Sequence, residues 1–582
     1  MFQLRWLWEN MAGVKGRYIL ALCITFTVSA TAIVFPTLVG YVVDNFIAID
    51  AAQAALLTAS RVVPILVMML VVHIARMGGL YGAIILTESV SQSMLMTIRK
   101  HLFANVLRQE MKFFQRYRQG DLMTRFTGDL EMCRICVAFI LRQLISSIIL
   151  FIVVFIYLLF VNWVMTLLVT AVLPIIVVLR RRFTKQGRPR FIAMREKLSE
   201  LSAIAQENIA GNRVIKAFTR ENYEIEKFAR KNEDFRKTNI EVNTIWFKFW
   251  PFMEGISQSL NVTVALIGGL FVVGGHLTIG QLAIFIALSW ALSDPMRVMG
   301  MLFSDLERFF TSSDKVIEIY YSRPLIVTRP NAEPLTEEIK GDIEFRNVTF
   351  GYNRNKAVLE EINLKINAGE TVAIMGATGS GKTTLISLLP RFYDVTEGSI
   401  LIDGKDIRDI PLNDLRKAIG IATQDVFLFS DTVEGNVAYG DEELTLEDVK
   451  QATRMADADG FVSVMSEGYD TIIGERGVGL SGGQKQRVAL ARAIAIKPRI
   501  LILDDTTSAV DMETEKYIQE QLNSMDYTCT KIIVAQRISA VKNADKIIFL
   551  ADNKISEIGT HDELVALGGH YAEVYAMQSE EM

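Results

Sequence analysis

Six long apolar runs constrain this 582-residue chain more than any other feature. A bilayer core offers the backbone no water, so a run that enters it must satisfy its own polar groups as a helix. One span takes about 20 residues. Tyr18–Val43 meets that length, and so does Val62–Leu86 if His73 and Arg76 face the bundle interior. Gln143–Phe160 and Trp163–Leu179 are parted near Asn162, which reads as a tight hairpin. Gly255–Gly275 is the fifth run, and Ile279–Leu292, continuing toward Met301, is the sixth. Lys15, Arg17 and the small residues Ala30-Thr31-Ala32 imitate a cleavable leader, but the first run continues to Val43. A leader's apolar region is only about 7–15 residues, so a retained span is expected.

Positive charge orients the spans. Arg99, Lys100, Arg108, Lys112, Arg116, Arg118 and Arg125 lie between the second and third runs. Arg180, Arg181, Arg182, Lys185, Arg188 and Arg190 follow the fourth. The loops around Asn162 and His276–Gly280 carry almost none, which places both termini and both long loops in the cytoplasm. Those loops read as helical extensions of the spans. Leu4–Met11 reads as an amphipathic helix at the membrane surface. Glu88, Arg142, Glu254, Asp294 and Arg297 lie in or near spans, where an ionisable group is a candidate substrate contact. Net charge is −4, which gives no case for a nucleic-acid partner. Cys133 and Cys136 have C-x-x-C spacing on a predicted helix with no second pair, and ordinary helix residues explain them better than a metal.

The composition changes after the sixth run. Residues 1–321 form the predicted membrane domain, 322–340 a linker with three prolines, and 341–582 a mixed α/β domain. There Gly376-Ala377-Thr378-Gly379-Ser380-Gly381-Lys382-Thr383, followed by Thr384, fits the phosphate-loop pattern between a strand and a helix. Its glycines let backbone amides wrap a phosphate at a positive helix end. Lys382 is placed to reach the β- and γ-phosphates and Thr383 to reach Mg²⁺. Asp504 ends the apolar strand "ILILD" and is the second expected Mg²⁺ group.

"LSGGQKQR" (Leu480–Arg487), "GERGVG" ahead of it and Gln424 in "IATQDVFLFSDTVEGNV" complete a set that resembles the ATP-binding cassette transporters. With six spans ahead of the cassette, the chain resembles an exporter half-transporter over its whole length. The resemblance implies ATP and Mg²⁺ as ligands and a multi-pass protein of the cell membrane. It implies that Tyr352 stacks on adenine and that Gln424 links Mg²⁺ to the membrane domain. Ser481, Gly482, Gly483 and Gln484 would cap a nucleotide held by a second subunit, and Asp511 would cross the interface. Lys112–Asp129 and Glu207–Asn222 resemble segments that dock onto cassettes.

Two positions depart from the family pattern. Asp505 stands where a glutamate usually polarises the attacking water, and Gln536 where a histidine usually faces the γ-phosphate. Aspartate is one methylene shorter, and a misplacement of about 1 Å can cost about a hundredfold. Glutamine can hydrogen-bond but carries no charge. The signature, which serves the opposite site, is intact. The resemblance is therefore to the weakened-site subunit of a heterodimeric exporter of amphipathic small molecules, of the multidrug type. A lipid or peptide exporter and a slow homodimer are the alternatives. The spans argue against a soluble DNA-repair type ATPase. A regulatory or channel subunit would be told apart by uptake that does not need continuous hydrolysis.

Overall fold

The computed structural model describes residues 2–47, 59–330, 332, 339–353, 356–474, 477, 479–506 and 510–580. The chain divides into two compact units, Met1–Leu107 with Gln119–Ser322, and Arg108–Arg118 with Arg323–Met582.

The first unit is helical. A short helix, Phe2–Asn10, buries Trp6 and Leu7 and exposes Phe2, Arg5, Trp8 and Glu9. Helical backbone then runs from Lys15 to Ile47, with a tight turn at Thr31–Ile33 and a wide one at Val43–Ile47. Long helices follow at Ala59–Leu107, Leu173–Ala210, Glu221–Val273 and Ile279–Tyr320. Gln119–Val161 is helical with two wide π turns, Arg125–Asp129 and Cys136–Ile140. Among the described residues, three helical segments are long and apolar enough to cross a membrane: Lys15–Ile47, Val62–Leu107 and Gln119–Val161. Gln258–Val273 and Ile279–Ser293 are shorter apolar stretches.

Local chemistry explains the joints. Asn162 has extended backbone and its side chain accepts from the Met165 N–H, so it ends one helix and caps the next, Trp163–Thr170. Thr278 caps Ile279–Tyr320 in a capping box with Gln281. The same helix end is held by Asp44, whose carboxylate accepts from Thr278 Oγ1 and from the Gly280 N–H, both at 2.6 Å. Gly40 and Gly280 let these two helices meet backbone to backbone, since a Cβ on Gly280 would strike the Gly40 carbonyl. Val154, Leu158, Met165, Leu260, Val264 and Phe285 make a shared apolar core.

The second unit holds two sheets. β1 (Ile343–Phe350), β2 (Leu359–Ile366), β4 (Glu397–Ile402) and β5 (Lys405–Asp406) form an antiparallel sheet in the order β2-β1-β4-β5. β3 (Thr371–Gly376), β6 (Ile419–Ala422), β7 (Ile500–Asp504), β8 (Thr530–Val534), β9 (Lys546–Ala551) and β10 (Lys554–Gly559) form the other, ordered β10-β9-β3-β8-β7-β6. It is parallel except for β10. Its central strands are buried on both faces, almost throughout in "ILILD" and "TKIIV", because helices cover both sides of a parallel sheet. The carboxyl ends of β3, β7 and β8 lie side by side, where such sheets bind ligands.

Candidate functional site

β3 delivers the phosphate loop. Gly376 has φ +143° and Gly381 +99°, conformations that strain any side chain. A Cβ on Gly381 would also press on Leu359 Cδ2 at 2.8 Å. Lys382 opens the next helix, Lys382–Leu388, and folds its Nζ back onto the carbonyls of Gly376 (2.7 Å) and Ala377 (2.8 Å). Burial depresses the Lys382 pKa, and the carboxylates of Asp504 and Asp505 oppose that shift. Thr383 Oγ1 donates to Asp504 Oδ2 at 3.2 Å. Asp504 is 4 % exposed, and burial pushes its pKa up. Asp505's charge adds to that rise, while the Thr383 hydrogen bond and Lys382 oppose it.

The Ser380 Oγ is buried and has no hydrogen-bond partner among the described residues. A buried hydroxyl left in that state is costly, and a phosphate oxygen is the acceptor it lacks. With the loop amides and Lys382 it makes a donor set that fits a polyphosphate. Thr383 and Asp504 are hard oxygen donors of the kind Mg²⁺ takes. On these observations the residues fit Mg²⁺ with a nucleotide.

The other candidates fall into connected groups. The Tyr352 hydroxyl lies 3.2 Å from Thr384 Oγ1, and its ring stands edge-on to Tyr393 at 5.2 Å. Gln424 Nε2 donates to Asp505 Oδ2 at 3.3 Å. Thr378 and Gly379 lie on the exposed crest of the loop. Ser481 caps helix Gly482–Ala495 in a capping box with Gln484, so Gly482 and Gly483 are its first turn. Asp511 caps helix Met512–Asn523 and accepts from the Thr514 N–H at 2.9 Å. That hydrogen bond holds the Asp511 carboxyl below the usual carboxylate range. Gln536 follows β8 and is exposed. Of the singled-out stretches, Glu475, Arg476 and Val478 ahead of the signature, and Thr507–Ala509, lie outside the described residues.

The membrane-unit candidates have different surroundings. Glu88 pairs with Arg134 at 2.5 Å, and Arg134 with Glu131 at 2.6 Å. Arg142 is buried and donates to the Ala138 carbonyl. Glu254 accepts from Gln258. The side chains of Asp294 and Arg297 lie outside the described residues. In the second unit, Gln115 Nε2 donates to the Tyr393 hydroxyl at 2.9 Å.

Three residues near the site escaped the sequence reading. Gln486 Nε2 donates to the Asp505 carbonyl at 3.4 Å, joining the signature helix to β7. Asp457 accepts from Arg487 Nη1 at 2.7 Å. Gln578 bonds the Gln536 carbonyl. Gln486 sits inside the signature and was open to notice. Asp457 and Gln578 have no local signal.

Comparisons with known proteins agree with this geometry. The family model described as ABC transporter transmembrane region matches residues 18–296, and the one described as ABC transporter matches 359–508. An uncharacterized ABC transporter ATP-binding protein, YknU of Bacillus subtilis (strain 168), is 36% identical over 83% of this chain and 82% of its own length. An ATP-dependent lipid A-core flippase of Desulfotalea psychrophila is 36% identical over 86% and 87%. A putative multidrug export ATP-binding/permease protein, YgaD of Bacillus subtilis (strain 168), is 34% identical over 94% of each chain. Among solved structures, a bacterial Atm1-family ABC exporter with ATP bound superposes with TM-score 0.80 and 26% identity, covering 97% of this chain and 99% of that one.

Proposed function

From a chain that belongs to the ABC transporter family, an ATP-driven exporter half-transporter with its membrane region fused to its ATP-binding cassette, we propose one half of a heterodimer whose own ATP site is weakened. The observation that carries this is asymmetry. Asp505 and Gln536 both depart from the family pattern, while Ser481, Gly482, Gly483 and Gln484 keep the signature that would serve the opposite site. The partner then supplies the full base and histidine, and this chain supplies the cap.

Six spans, with both termini inside, carry the substrate path across the cell membrane. Lys382, the loop amides and Ser380 hold the polyphosphate. Thr383, Asp504 and Gln424 would hold Mg²⁺, which neutralises phosphate charge when bound. Tyr352 meets the adenine. Closure over ATP favours one helix arrangement because nucleotide binds the closed pair better. Ile209, Val214 and Phe218 are exposed on and beside the short helix Asn212–Ala217, which supports docking of that turn onto a second cassette. Amphipathic small molecules are the proposed cargo.

Purification from native membrane tests the assembly. A different half-transporter should co-purify, and the chain alone should hydrolyse ATP slowly or not at all. Robust turnover by the single chain ends the heterodimer reading. The same preparation, reconstituted, separates a second cargo reading, an acidic lipid. That reading is favoured by Arg76, whose Nε is buried without a hydrogen-bond partner among the described residues, and by buried Arg142. Relatives named lipid A-core flippase lend it support. Hydrolysis stimulated by acidic lipid and not by cationic amphiphiles would select it.

A further inference from the structure

Gln536 is held in place by a side chain from the far end of the cassette. Gln578, on helix His570–Glu580, donates Nε2 to the Gln536 carbonyl at 2.9 Å and accepts at Oε1 from the Ile538 N–H at 2.9 Å. One primary amide thereby pairs with two main-chain groups, one on each side of Arg537, as a neighbouring strand would. The opposite end of that helix is anchored to β10. The buried carboxylate of Glu557 accepts from the His570 and Tyr571 N–H groups at 2.6 and 3.1 Å. Tyr571 is fully buried, with its hydroxyl 2.7 Å from His561 Nδ1. From that anchor two helical turns, at 1.5 Å per residue, carry Gln578 to the loop.

The loop is held on its other side as well. Gln519 Nε2 donates to the Ala540 carbonyl at 3.2 Å, and Ser539 Oγ to Glu515 Oε2 at 3.4 Å. Both acceptor and donor come from helix Met512–Asn523, which Asp511 caps. Main-chain groups on either side of Arg537 are thus fixed, while the Gln536 side chain is exposed.

We propose that Gln578 is a positioning residue for the nucleotide site: it sets where Gln536 presents its amide, and so governs the preference for a nucleoside triphosphate over a diphosphate. This rests on the reading of Gln536 as the residue that faces the γ-phosphate. The physical reason is that a neutral amide has no long-range attraction to contribute. Its hydrogen bond weakens steeply as distance passes about 3.2 Å or the angle falls below about 120°. A residue that acts only through geometry depends on whatever fixes its backbone.

The test uses the full-length chain in lipid nanodiscs with Mg²⁺, titrated with ATP and with ADP against a fluorescent ADP analogue. Gln536→Ala should weaken ATP binding several-fold and leave ADP binding unchanged. Gln578→Ala should do the same, and the double variant should be no worse than either. Gln578→Glu keeps the acceptor for Ile538 but sets a carboxylate oxygen against the Gln536 carbonyl, so it should match Gln578→Ala. If Gln536→Ala lowers the ATP preference while neither Gln578 variant does, the positioning role is wrong and the γ-phosphate reading stands. Equal loss of ATP and ADP binding in the Gln578 variants, with a lower melting temperature, also overturns the proposal, since it marks a merely structural contact. If Gln536→Ala leaves the preference unchanged, the γ-phosphate reading and the proposal fall together.

Discussion

The backbone at Asp505 bears on its proposed role as a weakened base. Its φ is +51°, a left-handed conformation that aspartate tolerates better than most side chains. Its N–H donates to the Val534 carbonyl at 2.9 Å, which ties the end of β7 to β8. A glutamate here would meet the same backbone demand with less local help, but would carry its carboxylate one methylene further toward water. The variant Asp505→Glu with Gln536→His should therefore raise hydrolysis at this site by at least about tenfold, since a well-placed general base is worth about 10²–10⁴. Phosphate release should be measured in a complex whose partner base has been removed, so that only this site turns over. No gain there would mean that something other than these two side chains holds the site slow. The two departures stand out only through the resemblance, which says what usually follows each of these apolar strands. Gln578 was not legible in the sequence, because hydrogen bonding across 42 residues leaves no periodicity.

The signature helix shows how one element can carry a structural and a chemical role on the same atoms. Ser481 accepts from the Gln484 N–H, and Gln484 Oε1 accepts from the Ser481 N–H, so S-x-x-Q closes a capping box. Ser481→Ala should cost about 1 kcal/mol of stability through the lost cap. It should also nearly abolish hydrolysis in the assembled complex, because the same hydroxyl is proposed to meet the partner's nucleotide. Ser481→Asp separates the roles. Aspartate caps as well as serine, but its charge opposes a phosphate, so thermal stability should be kept and hydrolysis lost. Retained hydrolysis in Ser481→Asp would remove Ser481 from the proposed site. Boundaries of this kind were readable where a polar residue breaks an apolar run, as at Asn162 and at the aspartate that ends "ILILD". The wide turns at Arg125–Asp129 and Cys136–Ile140 were not, because one extra residue in a helical turn hardly changes an apolar pattern. Pro189 and Pro251 likewise lie inside continuous helices, where residue type alone argues for a break.

At the scale of the molecule, the apolar runs and the helices are different objects. Glu221–Val273 is one helix of 53 residues, and only its last part, Gln258–Val273, is apolar. A polar stretch and an apolar stretch on one continuous helix are what a helix needs if it leaves the membrane and continues into water, and this is why the ends of an apolar run do not coincide with the ends of its helix. Loop charge supplies the orientation that hydropathy lacks. Labelling with a membrane-impermeant thiol reagent in intact cells tests it. Among the native cysteines Cys23 is exposed and Cys133, Cys136 and Cys529 are buried, so Cys23→Ser gives a quiet background. Asn162 and Thr278 are poor reporters because each caps a helix. The exposed neighbour His276 is better, and for the opposite side Phe218, which is 74% exposed beside the turn Asn212–Ala217. His276→Cys should react from outside, and Phe218→Cys should react only after the cells are opened. The reverse pattern would invert every span and put the proposed docking turn on the wrong side of the membrane from ATP.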